Sequence, residues 1–161
     1  MKSCFFTGHR YFSAERDTDA VDNLTTVLPI LAESGVTDFY CGGAQGWDTY
    51  CGFAVSTLKK YYPQIKLHLI LPCPAEKQIF NWKENEIKEY TLLLQLADSF
   101  ETVSKEKSKD CMKKRNSRLV ELGGICICYF NKKDTRSGTA QTVRMAEKAN
   151  KTVLNMFSSL K

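Results

Sequence analysis

Short apolar, β-branched and aromatic runs alternate along the chain with segments whose apolar residues recur at helical spacing. The first type of run is typical of strands and the second of amphipathic helices, so about six strand-helix alternations are predicted. The predicted strands are residues 3–7, 36–41, 65–71, 98–103, 125–130 and 152–157.

This alternation predicts the fold class. The runs at 65–71 and 125–130 are apolar on both faces, as a sheet covered on both sides requires. Alternating strands and helices imply parallel pairing with right-handed crossovers. We therefore expect an α/β fold, a Rossmann-like doubly wound and mostly parallel sheet with helices on both faces. No repeat or Pro/Gly-rich linker divides the 161 residues, so a single domain spanning 1–161 is expected.

Composition narrows the setting of the protein. Nowhere are there 18 consecutive apolar residues, and the N-terminal apolar run is too short for a signal peptide, so a cytoplasmic protein without a membrane partner is expected. The seven cysteines are scattered without a Cys-x-x-Cys pair, and there are only two histidines. Reduced thiols in the core are therefore favoured over disulfides, and no metal site is predicted.

The positive charge is concentrated in one segment. The net charge is +5, and residues 105–118 alone hold seven Lys or Arg against two Asp or Glu, so the rest of the chain is balanced. Such a segment is either a solvated helix face or a surface that faces an anion. We favour the solvated helix.

Three predicted strand-to-helix loops are rich in glycine and hydrogen-bond donors, and the first is TGHR at residues 7–10. Gly8 would let the backbone approach a ligand. His9 and Arg10 would supply donors suited to phosphate or carboxylate. A simple turn with a solvent-facing arginine would have the same sequence.

The second loop is YCGGAQGWD at residues 40–48. Its glycines Gly42, Gly43 and Gly46 match neither G-x-G-x-x-G nor the P-loop, which leaves a tight turn into a helix that begins near Trp47. Asp48 would compete with a phosphate for the N–H groups at that helix start. It is therefore expected to be a helix cap or an acceptor for a ligand hydroxyl such as that of a ribose.

The third loop is RSGTAQT at residues 136–142. Ser137, Gly138 and Thr139 offer two hydroxyls and free backbone N–H groups at a helix start, which suits an anion, although Ser and Thr are also ordinary N-caps. The three loops follow predicted strands one, two and five. In this architecture they can converge on one crevice at the carboxyl ends of the strands.

The motifs FFTGHR, GGAQGWD, KRN at 114–116 and SGTAQT resemble those of the SLOG superfamily, which unites Rossmann-like domains of the Smf/DprA DNA-processing proteins and the LOG phosphoribohydrolases. Residues 69–98 resemble the YpsA-like branch, in which a Gln and a Trp similar to Gln78 and Trp82 recur. The resemblance covers nearly the whole chain and implies a pocket for a nucleotide or nucleotide-derived ligand. Together with the loops it gives as candidate ligand-binding residues Thr7, Gly8, His9, Arg10, Gly42, Gly43, Ala44, Gln45, Gly46, Asp48, Arg115, Asn116, Ser137, Gly138 and Thr139.

One departure from the LOG pattern bears on catalysis. The LOG hydrolases carry P-G-G-x-G-T-x-x-E, whose final Glu serves the reaction. Here Gly138 and Thr139 match the G-T, but Thr142 stands at the Glu position. The carboxylate that would activate water or stabilise an oxocarbenium-like ribose is missing there, and only Asp48 could substitute for it. We therefore expect a binding protein for an ADP-ribose-like or NAD-like ligand, with a sensing or regulatory role rather than an enzymatic one.

Two alternatives stay open. One is a nucleotide-processing hydrolase related to the LOG enzymes. The other is a single-stranded nucleic-acid-binding module, because GGAQGWD also resembles the G-x-A-R-G-I-D turn of DprA-type proteins and the 105–118 segment could contact phosphates. Gln45 replaces the arginine of that turn, so a small ligand is favoured over nucleic acid. The sequence leaves the oligomeric state open, a homo-oligomer included.

Overall fold

The computed structural model describes residues 2–158, which form a six-stranded sheet and its connecting helices. Each predicted strand is confirmed, with ends that differ by at most two residues. The strands are β1 Lys2–Gly8, β2 Val36–Cys41, β3 Lys66–Leu71, β4 Ser99–Thr102, β5 Ile125–Tyr129 and β6 Thr152–Asn155. The helices are α1 Thr18–Glu33, α2 Trp47–Leu58, α3 Ala75–Gln78, α4 Glu84–Leu96, α5 Cys111–Leu122 and α6 Gly138–Lys148.

The strand order explains where a ligand could enter. The sheet runs β4-β3-β2-β1-β5-β6, and every neighbouring pair is parallel. The chain moves outward from β1 to β4 and then crosses to the other side of β1 to form β5 and β6. The predicted Rossmann-like, doubly wound fold is thus confirmed. Its strand order reverses between β1 and β5, where the loops that follow these strands diverge and leave a crevice.

Two apolar layers cover the two faces of the sheet. Alternate residues of β1 enter different layers, because successive side chains of a strand point to opposite faces. Phe6 lies in the cluster that includes Leu24 of α1 and residues of α2 and α4. Phe5 lies in the opposite cluster with Leu119 of α5 and Val143 of α6. Helices on both faces are thereby confirmed.

Trp47 fixes the turn between β2 and α2 against the centre of the sheet. Its indole is fully buried and stacks on Tyr129 with ring centroids 5.6 Å apart. A Cβ at Gly8 would overlap this indole, so glycine at the end of β1 is required by the packing of Trp47. The loops after β1 and β2 are therefore held together by core packing.

The cysteines lie in the interior as free thiols. All seven are buried and unpaired, and four of them are on strands β1, β2 and β5. In the part of the chain that the structure describes, no helix has the length and apolar character needed to cross a membrane.

Candidate functional site

A cavity of about 260 Å³, here named the crevice cavity, lies at the carboxyl end of the sheet beside the reversal of strand order. The three donor-rich loops and α5 all contribute to it, including all but four of the candidates from the sequence. The lining residues are Phe6, Thr7, Gly8, His9, Arg10, Ala44, Asp48, Met112, Arg115, Asn116, Ser137, Gly138 and Thr139.

The other four candidates do not line the crevice cavity. Gln45 and Gly46 line a neighbouring cavity instead. Gly42 is buried behind the lining, where its carbonyl accepts a hydrogen bond from Nη1 of Arg115 at 2.6 Å, and a Cβ there would crowd the guanidinium. Gly43 has a φ of 72° in the turn. Gly42 and Gly43 therefore shape the turn and position Arg115, and they do not face the cavity.

Arg115 is a buried cation in the wall of the crevice cavity. Its residue is 5% exposed, and its Nε donates to Oδ1 of Asn116 at 2.8 Å. Burial lowers the pKa of Arg115, and the nearby Asp48 carboxylate raises it. A guanidinium carries five N–H donors, and beyond the bonds to Asn116, to Gly42 and to the Met112 sulfur at 3.8 Å, donors are available to a bound group. A buried cation with spare donors is suited to hold an anion.

The position of Arg115 on α5 explains a residue that the sequence reasoning missed. Met112, Arg115 and Asn116 are spaced at i, i+3 and i+4, which places them on one face of a helix. All three line the crevice cavity. The KRN motif named two of them, and helical spacing would have found Met112.

Asp48 is a buried carboxylate, and the prediction that it caps the helix is wrong. The N-cap of α2 is Gly46, and Asp48 lies in the first turn, where Oδ2 accepts from the Ala44 N–H at 3.4 Å. Its Oδ1 is buried without a hydrogen-bond partner among residues 2–158. Burial raises the pKa of Asp48 from its usual 3.8 to about 6, against the lowering by Arg115, the Ala44 N–H and Arg10. Because Oδ1 has no partner in this part of the chain, the other predicted role of Asp48, as an acceptor for a ligand hydroxyl, stays a prediction.

The raised pKa of Asp48 predicts a pH-dependent effect of Asp48→Asn. Between about pH 4 and 6 the folded ligand-free protein holds this proton and the unfolded chain does not, so the free energy of unfolding falls as pH rises. The cost reaches about 2–3 kcal/mol above pH 7. Asp48→Asn removes this cost, so urea unfolding should show a stabilised variant at pH 7.5 and a gain below about 1 kcal/mol at pH 4. A difference that is the same at both pH values would contradict the raised pKa.

The N-terminus of α6 forms the opposite wall. Ser137 is the N-cap, and its Oγ accepts from the Ala140 N–H at 3.1 Å, so the capping role is confirmed. Gly138 and Thr139 begin the helix, where backbone N–H groups have no intrahelical acceptor. Arg10 is exposed beside them, and its side chain makes no hydrogen bond or ion pair with any part of residues 2–158. N–H groups, a helix dipole and a free guanidinium together favour an anion.

His9 serves the protein rather than an anion. Its Nε2 accepts from the Asn131 N–H at 3.0 Å, so this nitrogen cannot donate to a ligand. Its Nδ1 lies 3.7 Å from a carboxylate oxygen of Asp134. Burial lowers the pKa of His9, and Asp134 raises it. The imidazole connects the loop after β1 to the loop after β5. This corrects the prediction that His9 donates a hydrogen bond to a bound anion.

The basic segment divides between solvent and site. Lys113 and Lys114 are exposed on α5, and Arg118 pairs with Glu101 and Glu121 near the surface. The solvated-helix interpretation holds for these side chains. It is wrong for Arg115, which turns inward to the crevice cavity.

A second cavity of about 370 Å³, here named the aromatic cavity, adjoins the first and was not predicted. Arg10 lines both. The family resemblance pointed to Trp82 and to Gln45 separately, but it gave no reason to expect that both line one cavity. The lining residues are Arg10, Phe12, Ala14, Gln45, Gly46, Thr49, Tyr50, Phe53, Trp82, Asn85, Glu86 and Glu89.

A sequence profile of the YspA SLOG family matches residues 7–158. The chain belongs to this family. This confirms the resemblance to the SLOG superfamily and its YpsA-like branch. All candidate ligand-binding residues lie within the matched part of this YspA SLOG chain.

This chain is similar to a bacterial protein in sequence and to a solved structure in fold. A UPF0398 protein of Bacillus cereus (strain G9842) is 24% identical over 106 residues, which cover 65% of this chain and 56% of that protein. The structure of DNA processing protein A from Helicobacter pylori, studied for its single-stranded DNA binding, superposes with a TM-score of 0.64 at 18% identity. That match covers 94% of this chain and 63% of the other, and it shows a shared fold. This chain therefore spans less than two thirds of either relative.

Proposed function

We propose that this YspA SLOG protein binds a nucleotide-derived ligand of the ADP-ribose or NAD type in the crevice cavity and acts in sensing or regulation. The observation that carries the proposal is the buried guanidinium of Arg115 beside the start of α6. Burying a cation is costly unless a counter-charge is supplied. Asp48 supplies one negative charge against the two arginines of the cavity, and a phosphate would supply the rest.

The donors and acceptors of the cavity suit the two polar parts of such a ligand. Arg115, Arg10 and the N–H groups that begin α6 would hold phosphate oxygens. The unpartnered Oδ1 of Asp48 would accept from a ribose hydroxyl. A carboxylate that repels a bare phosphate thereby favours a phosphorylated sugar.

A binding role rather than catalysis is supported by Thr142, which occupies the position of the LOG glutamate. Thr142 is fully buried, and its Oγ1 donates to the carbonyl of Gly138 at 2.8 Å within α6. It is not among the residues that line the crevice cavity, where Asp48 is the carboxylate present.

The proposal predicts that Arg10→Ala weakens ADP-ribose binding at least tenfold, the effect of about 1.4 kcal/mol, in isothermal titration calorimetry. The melting temperature of the ligand-free variant should not change, because the Arg10 side chain has no hydrogen bond or ion pair within residues 2–158. Lys113→Ala is the matched control, since Lys113 is exposed on α5 and outside the cavity. Equal affinities of the two variants, or a wild type that binds neither ADP-ribose, NAD nor AMP at millimolar concentration, would overturn the proposal.

A hydrolase is favoured by one observation, the carboxyl of Asp48 with a pKa of about 6 in the cavity. Free base or phosphate released from a nucleotide by the wild type, and not by Asp48→Asn, would support that function.

Nucleic-acid binding is favoured by the exposed Lys113 and Lys114. Salt-sensitive oligonucleotide binding that disappears when both lysines are replaced by alanine would support it.

A further inference from the structure

The aromatic cavity has the walls of a site for a flat ring. Phe12, Tyr50, Phe53 and Trp82 line it. The indole of Trp82 is half-buried and held edge-to-face against Tyr90, with centroids 5.2 Å apart and planes at 88°. An indole fixed in this way offers a preformed stacking surface, because little of its freedom remains to be lost on binding.

The aromatic cavity holds three side chains whose oxygens can accept a hydrogen bond from a bound ring, Gln45, Glu86 and Glu89, beside donors on Arg10, Tyr50 and Asn85. The side-chain carbonyl oxygen of Gln45 is buried and has no hydrogen-bond partner in residues 2–158. Glu89 is exposed on α4, and Glu86 lies one turn before it, with Oε1 accepting from the Lys83 N–H at 2.9 Å. A ring edge that faces the oxygens of Gln45, Glu86 and Glu89 is therefore favoured when it carries N–H donors, since these oxygens offer no proton.

The two cavities are complementary and adjacent. Two arginines against one aspartate make the crevice cavity electropositive, while two glutamates against Arg10 make the aromatic cavity electronegative. Arg10 lines both, and the segment 44–49 contributes Ala44 and Asp48 to the crevice cavity and Gln45, Gly46 and Thr49 to the aromatic cavity. Pockets for small ligands usually measure about 300–1,000 Å³, and the pair fits that range better than the crevice cavity alone.

The geometry points to one ligand that occupies both cavities. We infer that a nucleobase with an exocyclic amino group stacks on Trp82 in the aromatic cavity, while its phosphates pass Arg10 into the crevice cavity. This inference rests on the proposed function and adds to it the place where the base binds and the requirement for an amino group on the base. Adenine and cytosine carry such an amino group, whereas hypoxanthine and uracil present a carbonyl oxygen at the same position and would face the acceptors unfavourably.

Tryptophan fluorescence tests the position of the base. The chain has two tryptophans, and Trp47 is fully buried in the core, so a ligand that stacks in the aromatic cavity should quench Trp82 alone. ADP-ribose should quench the emission of the wild type in a saturable manner. The Trp82→Phe variant keeps an aromatic wall and should still bind ADP-ribose by calorimetry, but without saturable quenching.

Two ligand analogues test the base itself. Ribose 5-phosphate lacks the base and should bind at least tenfold more weakly than ADP-ribose, without quenching Trp82. Inosine diphosphate ribose replaces the amino group with a carbonyl oxygen and should also bind at least tenfold more weakly. Trp82→Leu should lose most of the advantage of ADP-ribose over ribose 5-phosphate. Phe80→Leu is the control, because Phe80 is 70% exposed and outside both cavities.

The outcomes separate the two proposals. If ADP-ribose and ribose 5-phosphate bind equally well and Trp82 emission does not change, the base site is overturned and the phosphate site stands. If the inosine analogue binds as tightly as ADP-ribose with equal quenching, the requirement for an amino group is overturned. If none of the three ligands binds the wild type, the proposed function falls and the base site with it.

Discussion

Arg115→Met is expected to abolish detectable ADP-ribose binding, with a loss of at least 100-fold in affinity. Removing one partner of a buried, hydrogen-bonded charge pair costs about 2–5 kcal/mol. Arg115 would be such a partner for a phosphate, because its guanidinium is 5% exposed and lies in the wall of the crevice cavity. Calorimetric titration of the folded variant with ADP-ribose measures the loss.

The same substitution also removes an internal contact, and a second variant separates the two effects. Methionine leaves the Gly42 carbonyl without the 2.6 Å bond from Nη1. Arg115→Lys keeps the charge but loses the planar fork, so it should bind ADP-ribose with intermediate affinity. If a folded Arg115→Met binds as tightly as the wild type, or if Arg115→Lys binds no better than Arg115→Met, the guanidinium is not the phosphate contact.

The sheet was predictable from the sequence because its signal is local. The apolar runs 36–41 and 125–130 fit strands β2 and β5 closely, and alternation with helices implies parallel order. The short α3 was not predicted. Its four residues, Ala75–Gln78, are too few to show a helical period.

The site was predictable in part, for a different reason. Loops after neighbouring parallel strands meet at one edge of the sheet, so the sequence alone predicted that Arg10 and Ser137 lie close together. The burial of Arg115 could not be predicted, because the spacing of apolar residues does not tell which face of α5 meets the crevice. The acceptor role of His9 depends on the Asn131 N–H, 122 residues away, and leaves no local trace in the sequence. The aromatic cavity likewise joins Trp82 to the distant turn at Gln45.

Gly46→Ala is expected to lower the free energy of unfolding by more than about 3 kcal/mol, or to prevent folding. Gly46 has φ 76° and ψ −119°, a conformation that residues with a Cβ rarely adopt and that costs about 1–3 kcal/mol. In addition, a Cβ would overlap the carbonyl oxygen of Arg10, which is backbone and cannot move aside as a flexible side chain does. Urea unfolding monitored by circular dichroism measures the total.

Two other glycines divide this cost into its parts. Gly35 has φ 100° but nothing within 4 Å of an added Cβ, so Gly35→Ala carries the conformational strain alone, about 1–2 kcal/mol. Gly124 has an ordinary φ, and its nearest atom to an added Cβ is the Ser3 carbonyl oxygen at 3.5 Å, so Gly124→Ala should change stability by less than about 0.5 kcal/mol. The expected order of destabilisation is Gly46, then Gly35, then Gly124. If Gly46→Ala costs no more than Gly35→Ala, the loops after β1 and β2 are not locked together at Arg10, and the wall shared by the two cavities can deform to admit a ligand.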